Sequence, residues 1–424
     1  MAWMVRLELE AQSTNSAALF STNVSQIQWF WRAVERSNGP GTVLSFGDSM
    51  ADPSRSIQQE LFGRLQDKLG KSGYSLLAWW RDFSGGAGLA NPDTNWWAFH
   101  GSLPPGGSFH FDEWEWLPCD QVGLYWVAQP CGGDFTVRLS TNFQGWSAPL
   151  MTLDGYAATP VGRYTNFPVA RQPFYRLRLD GLGGTNAIVG PEFTDRASNG
   201  VHVAYMSRGG ANLNQVLSIS TNVLYPILAG LNPQLAVFHM KELADIGELE
   251  FSNRLVELEV MWRACVTEGD VAYLGTPYDI RDSLGEHTGR ENLVLRQAAV
   301  RDQRTYLDCM TPCVSYAAMT NNGYLGPDGI HPSDACDKFL VDVIWPQLGF
   351  FALRMDRRLN VEAANGEIVI QWPTATNVIY QVERSLDLIT WTAVHTNCGN
   401  GTAASWTNPP GQSGSFFRTR LTLP

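Results

Sequence analysis

Three short stretches of the chain hold side chains able to move a proton or attack a carbon: Phe46-Gly47-Asp48-Ser49, Arg208-Gly209-Gly210-Ala211-Asn212 and Asp328-Gly329-Ile330-His331-Pro332. A serine hydroxyl is a poor nucleophile until an imidazole takes its proton, and that imidazole must be held by a carboxylate on its other nitrogen. Asp328 and His331 are three residues apart, so one turn of chain can bring the carboxylate to the ring nitrogen that faces away from Ser49. Ser49 is then the candidate nucleophile, His331 its base and Asp328 the group that orients the base. The backbone N–H groups of Ser49 and Gly210 are candidate donors to a developing oxyanion, and glycine at 210 permits close approach. Asn212 is a further candidate donor, and equally a candidate cap for a helix that begins at Leu213. Each stretch alone is ordinary turn or cap chemistry; their order along one kind of fold gives them weight.

That fold must place all three at one edge. Thr42, Val43 and Leu44 lead into the serine block as a buried strand, and Ile57, Leu61, Leu65 and Leu69 repeat every four positions before Gly70, which predicts a helix. Strand patterns return at 201–206 (VHVAYM), 235–240 (LAVFHM) and 270–277 (DVAYLGTP), separated by helical stretches such as NRLVELEVMWRAC, and a last helix is expected over 334–348. Such a β-α-β series calls for a parallel sheet with helices on both faces, whose chemistry sits at the carboxyl ends of the strands. From about 103 to 198 the texture changes to short segments such as GLYWVAQ and DFTVRLS, punctuated by PPGG, CGGD and GLGG, which reads as an inserted β-sandwich. Beyond Arg358 the segments IVIQW, IYQVERS, WTAV and SFFRTRL predict a small all-β domain. The expected organisation is a lead segment at 1–40, a core at 41–103 and 198–352, an insert at 104–197 and a C-terminal β-domain at 357–424.

Composition narrows the partners. With 41 acidic against 30 basic side chains and a net charge of −11, the chain repels phosphate backbones, so neither nucleic acid nor an anionic membrane surface is an expected partner. No stretch reaches the length of apolar sequence that a membrane span needs. Sixteen tryptophans and 40 glycines suit β-rich modules that offer flat faces to sugars. Within the insert Trp114, Trp116, Trp126 and Trp146 are the candidate sugar-binding residues, against the plainer reading that they fill the sandwich core. Of seven cysteines, Cys119 with Cys131 and Cys309 with Cys313 are near enough in sequence to be disulfide candidates, and neither pair has a metal-binding spacing. No other His, Cys or acid stands near Asp328 and His331 at such a spacing, so no metal and no other cofactor is expected. The first residues carry Arg6, Glu8 and Glu10 where an export signal needs an apolar run.

With FGDS around Ser49, GGAN around Gly210 and DGIHPS around Asp328 and His331, the chain resembles the SGNH/GDSL hydrolases over 41–103 and 198–352. The resemblance implies a three-layer α/β/α core and ester hydrolysis through an acyl-serine without metal. One block departs from the family pattern: the third strand is normally followed by Gly-x-Asn-Asp, whose asparagine is an oxyanion donor, but here Lys241-Glu242-Leu243-Ala244-Asp245 follows and puts Leu243 or Ala244 in its place. Losing one such donor costs about 100-fold to 1000-fold in rate. The position of the insert resembles peptidoglycan and polysaccharide O-acetylesterases, whose inserted module looks like a carbohydrate-binding domain. The segment YQVERSLDLITW with FFRTRL resembles small fibronectin-like domains on exported bacterial proteins, which implies an extracytoplasmic address. The expectation is a serine esterase acting on an acylated polysaccharide or small ester. Its alternatives are a carbohydrate-binding protein on a decayed scaffold and a lipase or thioesterase for long acyl chains. The sequence leaves the oligomeric state open.

Overall fold

The structure, a computed structural model, describes residues 8–9, 27, 29–30, 33–34, 40–51, 56–77, 82–84, 88–89, 101–111, 117–207, 212–239, 247–283, 287–345 and 348. In the C-terminal region it describes 360–364, 367–373, 379–386, 390, 392–398, 403–408 and 416–422. The chain divides into two compact units, Ile27–Asp342 and a second that joins Met1–Gln26 with Val343–Pro424.

In the larger unit six strands run parallel: β1 Gly41–Gly47, β2 Lys71–Leu77, β3 Val201–Ser207, β4 Leu235–His239, β5 Asp270–Leu274 and β6 Thr305–Leu307. Their spatial order is β2-β3-β1-β4-β5-β6. Among the described residues the fully placed helices are α1 Ile57–Leu69, α2 Leu213–Leu217, α3 Thr221–Leu231, α4 Glu248–Cys265, α5 His287–Asp302, α6 Tyr316–Asn321 and α7 Asp334–Ile344. All seven residues of β1 are buried without alternation, as a central parallel strand covered on both faces requires. Leu44 and Phe46 of β1, Met206 of β3, Phe238 of β4 and Tyr273 of β5 share a core with Leu213, Leu224, Leu255 and Leu295 from α2 to α5. On the opposite face Phe62 of α1 meets Tyr205 of β3 with ring centroids 5.9 Å apart, and Gln58 donates to the Val237 carbonyl of β4 at 2.7 Å. There α7 lies beside α1, where Arg64 donates to the Lys338 carbonyl and pairs with Asp342. Helices therefore sandwich a parallel sheet, as the β-α-β pattern predicts.

The β-rich stretch is joined to this sheet differently from the expected self-contained insert. Strand Asn186–Thr194 pairs antiparallel with β2, and Cys119–Ala128 and Val161–Gln172 continue outward from it, so these three strands extend the core sheet itself. A second, five-stranded layer, in the order 151–154, 134–140, 176–181, 108–111 and 82–84, faces it. Along Cys119–Ala128 the residues Val122, Leu124 and Trp126 face this layer's Phe109, Phe135, Val137, Leu177 and Leu179, whereas Tyr125 and Val127 join the core under the helices. A strand with two buried faces has lost the polar alternation that marks a sandwich edge. The layer also begins earlier than residue 104, because Asp82–Ser84 already belongs to it.

Some described residues before 41 are built in as well. Ile27 and Phe30 are fully buried, and the N–H groups of Trp29 and Phe30 donate to the Asp270 carboxylate at the start of β5. In the smaller unit, strands 360–364, 367–373 and 403–408 form one antiparallel sheet, and 379–385, 392–398 and 416–422 form another. Glu8–Leu9 adds a short parallel strand to the latter.

One position governs how β1 and β4 meet. A Cβ on Gly47 would lie 1.9 Å from the His239 carbonyl oxygen, a backbone atom that no rotamer change can move. Gly47→Ala should therefore pry apart the carboxyl ends of these two strands. Urea unfolding should register a loss of roughly 1–3 kcal/mol, the usual cost of overpacking, and wild-type stability in this variant would show that the two strands are not held this closely.

Candidate active site

β1 and β3 leave in opposite directions from neighbouring positions, so the carboxyl ends of β1, β3 and β4 border the switch point where open α/β sheets bind ligands. Ser49 emerges there. The Asp48 N–H donates to the His239 carbonyl at 3.4 Å, the Asp48 carboxylate accepts the Met50 N–H at 2.7 Å, and its carbonyl accepts the Ala51 N–H at 3.1 Å. These bonds wind Ser49–Ala51 into a single 3-10 turn with Met50 and Ala51 buried and the serine on the open side. Beneath the turn Ser45 Oγ lies 2.9 Å from the Ala51 carbonyl and 2.8 Å from Gln58 Oε1, tying it to α1. The Ser49 N–H meets no acceptor among the described residues, so it is free to bind an anionic oxygen.

His331 reaches this serine from a tight loop. Gly326 N–H donates to the His331 carbonyl at 2.8 Å, Gly329 N–H to the Gly326 carbonyl at 3.0 Å, and Leu325 bridges Pro332. Gly329 sits at φ +69°, a conformation that favours glycine. Within the loop Asp328 Oδ1 accepts the N–H groups of Ile330 at 2.9 Å and His331 at 3.0 Å, which leaves Oδ2 to meet His331 Nδ1 at 2.6 Å. His331 Nε2 in turn lies 2.9 Å from Ser49 Oγ.

Electrostatics fixes the direction of these bonds. The side-chain bond to His331, then the two backbone N–H groups, hold the Asp328 carboxyl down at about 2, so above that pH it is a pure acceptor. Nδ1 must then be the donor, and in a neutral imidazole Nε2 is left as the acceptor for the serine hydroxyl. The arrangement can take a proton from Ser49 and hold the resulting cation beside a carboxylate.

The other candidate residues have different fates. Asn212 caps α2: its Oδ1 accepts the Gln215 N–H at 2.9 Å while Gln215 Oε1 accepts the Asn212 N–H at 2.9 Å, a reciprocal capping box. Its oxygen is thus committed to the helix. Gly210, the Lys241–Asp245 block, Trp114 and Trp116 lie outside the described residues. Trp126 is corrected: it is 6% exposed, packed edge-on against Phe135 inside the sandwich, and offers no face to a sugar. Trp146 lines an open cleft of about 710 Å³ with Asn142, Gln144, Ser147 and Tyr175. The Arg176 guanidinium lies 4.7 Å from the centre of its ring. The disulfide candidates are corrected too, since all these cysteines are thiols. Cys119 opens a ten-residue extended strand and Cys131 lies beyond its far end, a span of about 30 Å at the usual rise per residue, far outside disulfide reach.

Sequence reading missed the clamp that holds the histidine loop. Ile280 N–H donates to the Gly329 carbonyl at 2.8 Å, and the side chain of Ile280 packs where a Cβ on Gly329 would lie. Asp279, almost fully buried, sets this turn by pairing with Arg281 at 2.6 Å and accepting the Arg281 N–H at 2.8 Å. An acid and a base two residues apart are the only local signal of it.

No family model matches the chain, and no curated protein does. Among solved structures, one described as "Peptidoglycan O-acetylesterase in action, 5 min" matches with a TM-score of 0.60 over 78% of this chain and 98% of that one, at 16% identity. The fold is that of the SGNH/GDSL hydrolases. Two further structures overlap this chain at lower scores. TesA is 19% identical over 35% of this chain and 78% of its own, with a TM-score of 0.28. A family two carbohydrate esterase from Cellvibrio japonicus is 9% identical over 65% and 97%, with a TM-score of 0.27.

Just past the histidine loop, in the first turn of α7, burial and then the charges of Asp334 and Glu60 push the Asp337 carboxyl up from its ordinary range to about 7. A raised carboxyl is protonated in the folded chain while the unfolded chain ionises near pH 4, so its burial costs increasing stability from about pH 4 to 7 and a constant amount above. Asp337→Asn should accordingly melt several degrees higher than the wild type at pH 8, with the gap closing toward pH 4. A gap that stays constant with pH would show that the carboxyl is not titrating in the folded chain.

Proposed function

We propose that the chain is a serine esterase that removes acetyl or other small acyl groups from carbohydrate. The observation that carries this reading is the unbroken hydrogen-bonded path from Ser49 Oγ through the His331 ring to Asp328. In the proposed reaction Ser49 Oγ attacks the acyl carbonyl as its proton passes to His331 Nε2, and Asp328 stabilises the imidazolium. The carbonyl oxygen becomes an oxyanion facing the free Ser49 N–H, with the Gly210 N–H as a second proposed donor. Collapse expels the sugar oxygen, which takes the proton from His331 and leaves an acyl-serine. Water, deprotonated by the same imidazole, attacks that ester, releases the carboxylic acid and restores the serine.

Support for a carbohydrate substrate comes from two directions. The solved structure with the same fold is described as a peptidoglycan O-acetylesterase, and its likeness spans nearly the whole of that chain. The sandwich cleft beside Trp146 is walled by hydroxyls and amides together with aliphatic and aromatic carbon, with the Arg176 guanidinium over the Trp146 ring, a mixed polar and apolar lining suited to a saccharide. The same reading places the chain outside the cytoplasm, where such polymers are met. A decayed binding scaffold would gain nothing from keeping a serine hydroxyl aimed at an oriented imidazole.

Two measurements test this. A fluorophosphonate should label Ser49 alone, and Ser49→Ala and His331→Ala should each lower turnover of an aryl acetate by several orders of magnitude while leaving thermal melting intact, because the groups act as a unit. Wild-type turnover in Ser49→Ala would remove the assignment. Trp146→Ala should lower the ratio of turnover on acetylated polysaccharide to turnover on aryl acetate. An unchanged ratio would separate the cleft from the substrate without touching the serine.

A further inference from the structure

The bond between His331 and Ser49 joins two bodies with separate supports, the turn that leaves β1 and the loop that carries the histidine. That loop satisfies its own polar groups, so nothing inside it fixes its distance from the serine. Its base is closed by the Ser333 N–H on the Tyr324 carbonyl at 2.9 Å, and contact from outside is made by Ile280 at Gly329. Ile280 opens the 3-10 turn Ile280–Ser283, which precedes α5 across residues 284–286, outside the described ones. Whatever holds this turn therefore bears on the serine.

Asp282 ties the turn to α5. Its Oδ1 accepts the Thr288 N–H at 2.9 Å, and its Oδ2 accepts both the Thr288 hydroxyl and, at 2.9 Å, the Asp279 N–H. The Asp282 N–H closes the turn on the Asp279 carbonyl at 3.0 Å. The start of α5 is in turn fixed to the sheet. Asn292, 2% exposed, donates to the carbonyls of Thr288 at 2.8 Å and Thr276 at 2.9 Å. It accepts the Thr276 N–H at 3.0 Å and the Tyr306 hydroxyl at 2.8 Å. Thr276 lies just past β5 and Tyr306 within β6. Both ends of the amide are thus fully used, and a buried polar network whose members are satisfied is stiff. Helix capping alone would account for the Thr288 N–H on Asp282. It does not account for the oxygen that Asp282 shares with the Asp279 N–H, which belongs to the turn and not to the helix.

We propose that Asp282 is a positioning residue for His331, setting the distance of the imidazole from Ser49 through Ile280 and Gly329. The inference rests on the reading of Ser49 as the nucleophile. Asp282 acts at a remove: the sheet holds Asn292, Asn292 holds Thr288, Thr288 holds Asp282, and Asp282 shapes the turn whose Ile280 N–H meets the Gly329 carbonyl. Releasing that grip lets the histidine loop drift as a unit. The bond between Asp328 and His331 travels with the loop and survives, while Nε2 leaves the serine hydroxyl. A misplacement of about 1 Å at reacting groups costs about 100-fold in rate. The loss therefore falls on how fast Ser49 reacts and not on how many sites are folded.

The full chain is treated with a fluorophosphonate, and the rate constant and final stoichiometry of Ser49 labelling are followed by intact mass. Asp282→Asn keeps the shape of the side chain but replaces one acceptor oxygen by a donor set against the donors of Thr288 and Asp279. Its rate constant should fall by about 10-fold to 100-fold, with labelling still running to completion. Thr288→Val, which removes only the hydroxyl, should slow labelling several-fold, and Thr288→Ser, which restores it, should react as the wild type does. A wild-type rate constant in Asp282→Asn overturns the proposal. So does a reduced final stoichiometry whose remaining sites react at the wild-type rate, because that pattern belongs to a loss of folded protein. If Asp282→Asn does not fold, the two Thr288 variants decide, and equal rates in them overturn it. Absence of labelling in the wild type would remove the esterase reading and this proposal with it, whereas wild-type labelling at a rate indifferent to residue 282 removes this proposal alone.

Discussion

A carbonyl oxygen, that of His239, occupies the space where a side chain at residue 47 would begin, and the site is arranged around that intrusion. Because the end of β4 presses so closely on the end of β1, the next residue finds the same carbonyl as its hydrogen-bond acceptor and the chain must turn there. The turn is short, closed by the side chain of Asp48 and anchored below by Ser45 and Gln58. Its one open position is serine. The Asp-Ser pair after a buried strand is thus one closing residue and one presented residue, both made necessary by a glycine.

The second half of the site is built on another principle. The serine is placed by the packing of a central sheet, whereas Asp328 and His331 are placed by a loop that satisfies itself: the carboxylate spends one oxygen on two backbone N–H groups and the other on the ring. Such a loop is rigid within itself yet must be located from outside. The Ile280 bond, supported by the buried Asp279–Arg281 pair, supplies that location. Half of the geometry at Ser49 is therefore decided by residues that never approach it.

This division explains what the sequence made legible. Short-range relations survive in one dimension, so Asp328 and His331 three apart, Asn212 as a cap ahead of Leu213 and the helix rhythm from Ile57 to Leu69 could all be read. Relations that depend on what faces a strand could not. Trp126 looks like any other tryptophan of the insert until the five-stranded layer is seen to cover it. The segment around Leu124 reads as part of a separate sandwich because nothing in it reveals that its neighbour, Asn186–Thr194, is itself paired with β2. Cysteine spacing misled for the same reason: Cys119 and Cys131 are near in number but separated by a full extended strand.

The shared sheet has a consequence for how the molecule can be taken apart. In a parallel α/β sheet the outermost strand exposes a row of unpaired N–H and C=O groups, an invitation to another chain. Here β2 holds that position, and Asn186–Thr194 pairs along it, so the boundary between the parallel and antiparallel parts is a line of backbone hydrogen bonds rather than a linker. Cutting the β-rich stretch out would not release a tidy α/β core. It would leave a raw edge beside the central strands, with Tyr125 and Val127 missing from the core under the helices. A sandwich grown from the parallel sheet is in this sense also its selvage, the woven border that keeps the fabric from fraying into its neighbours.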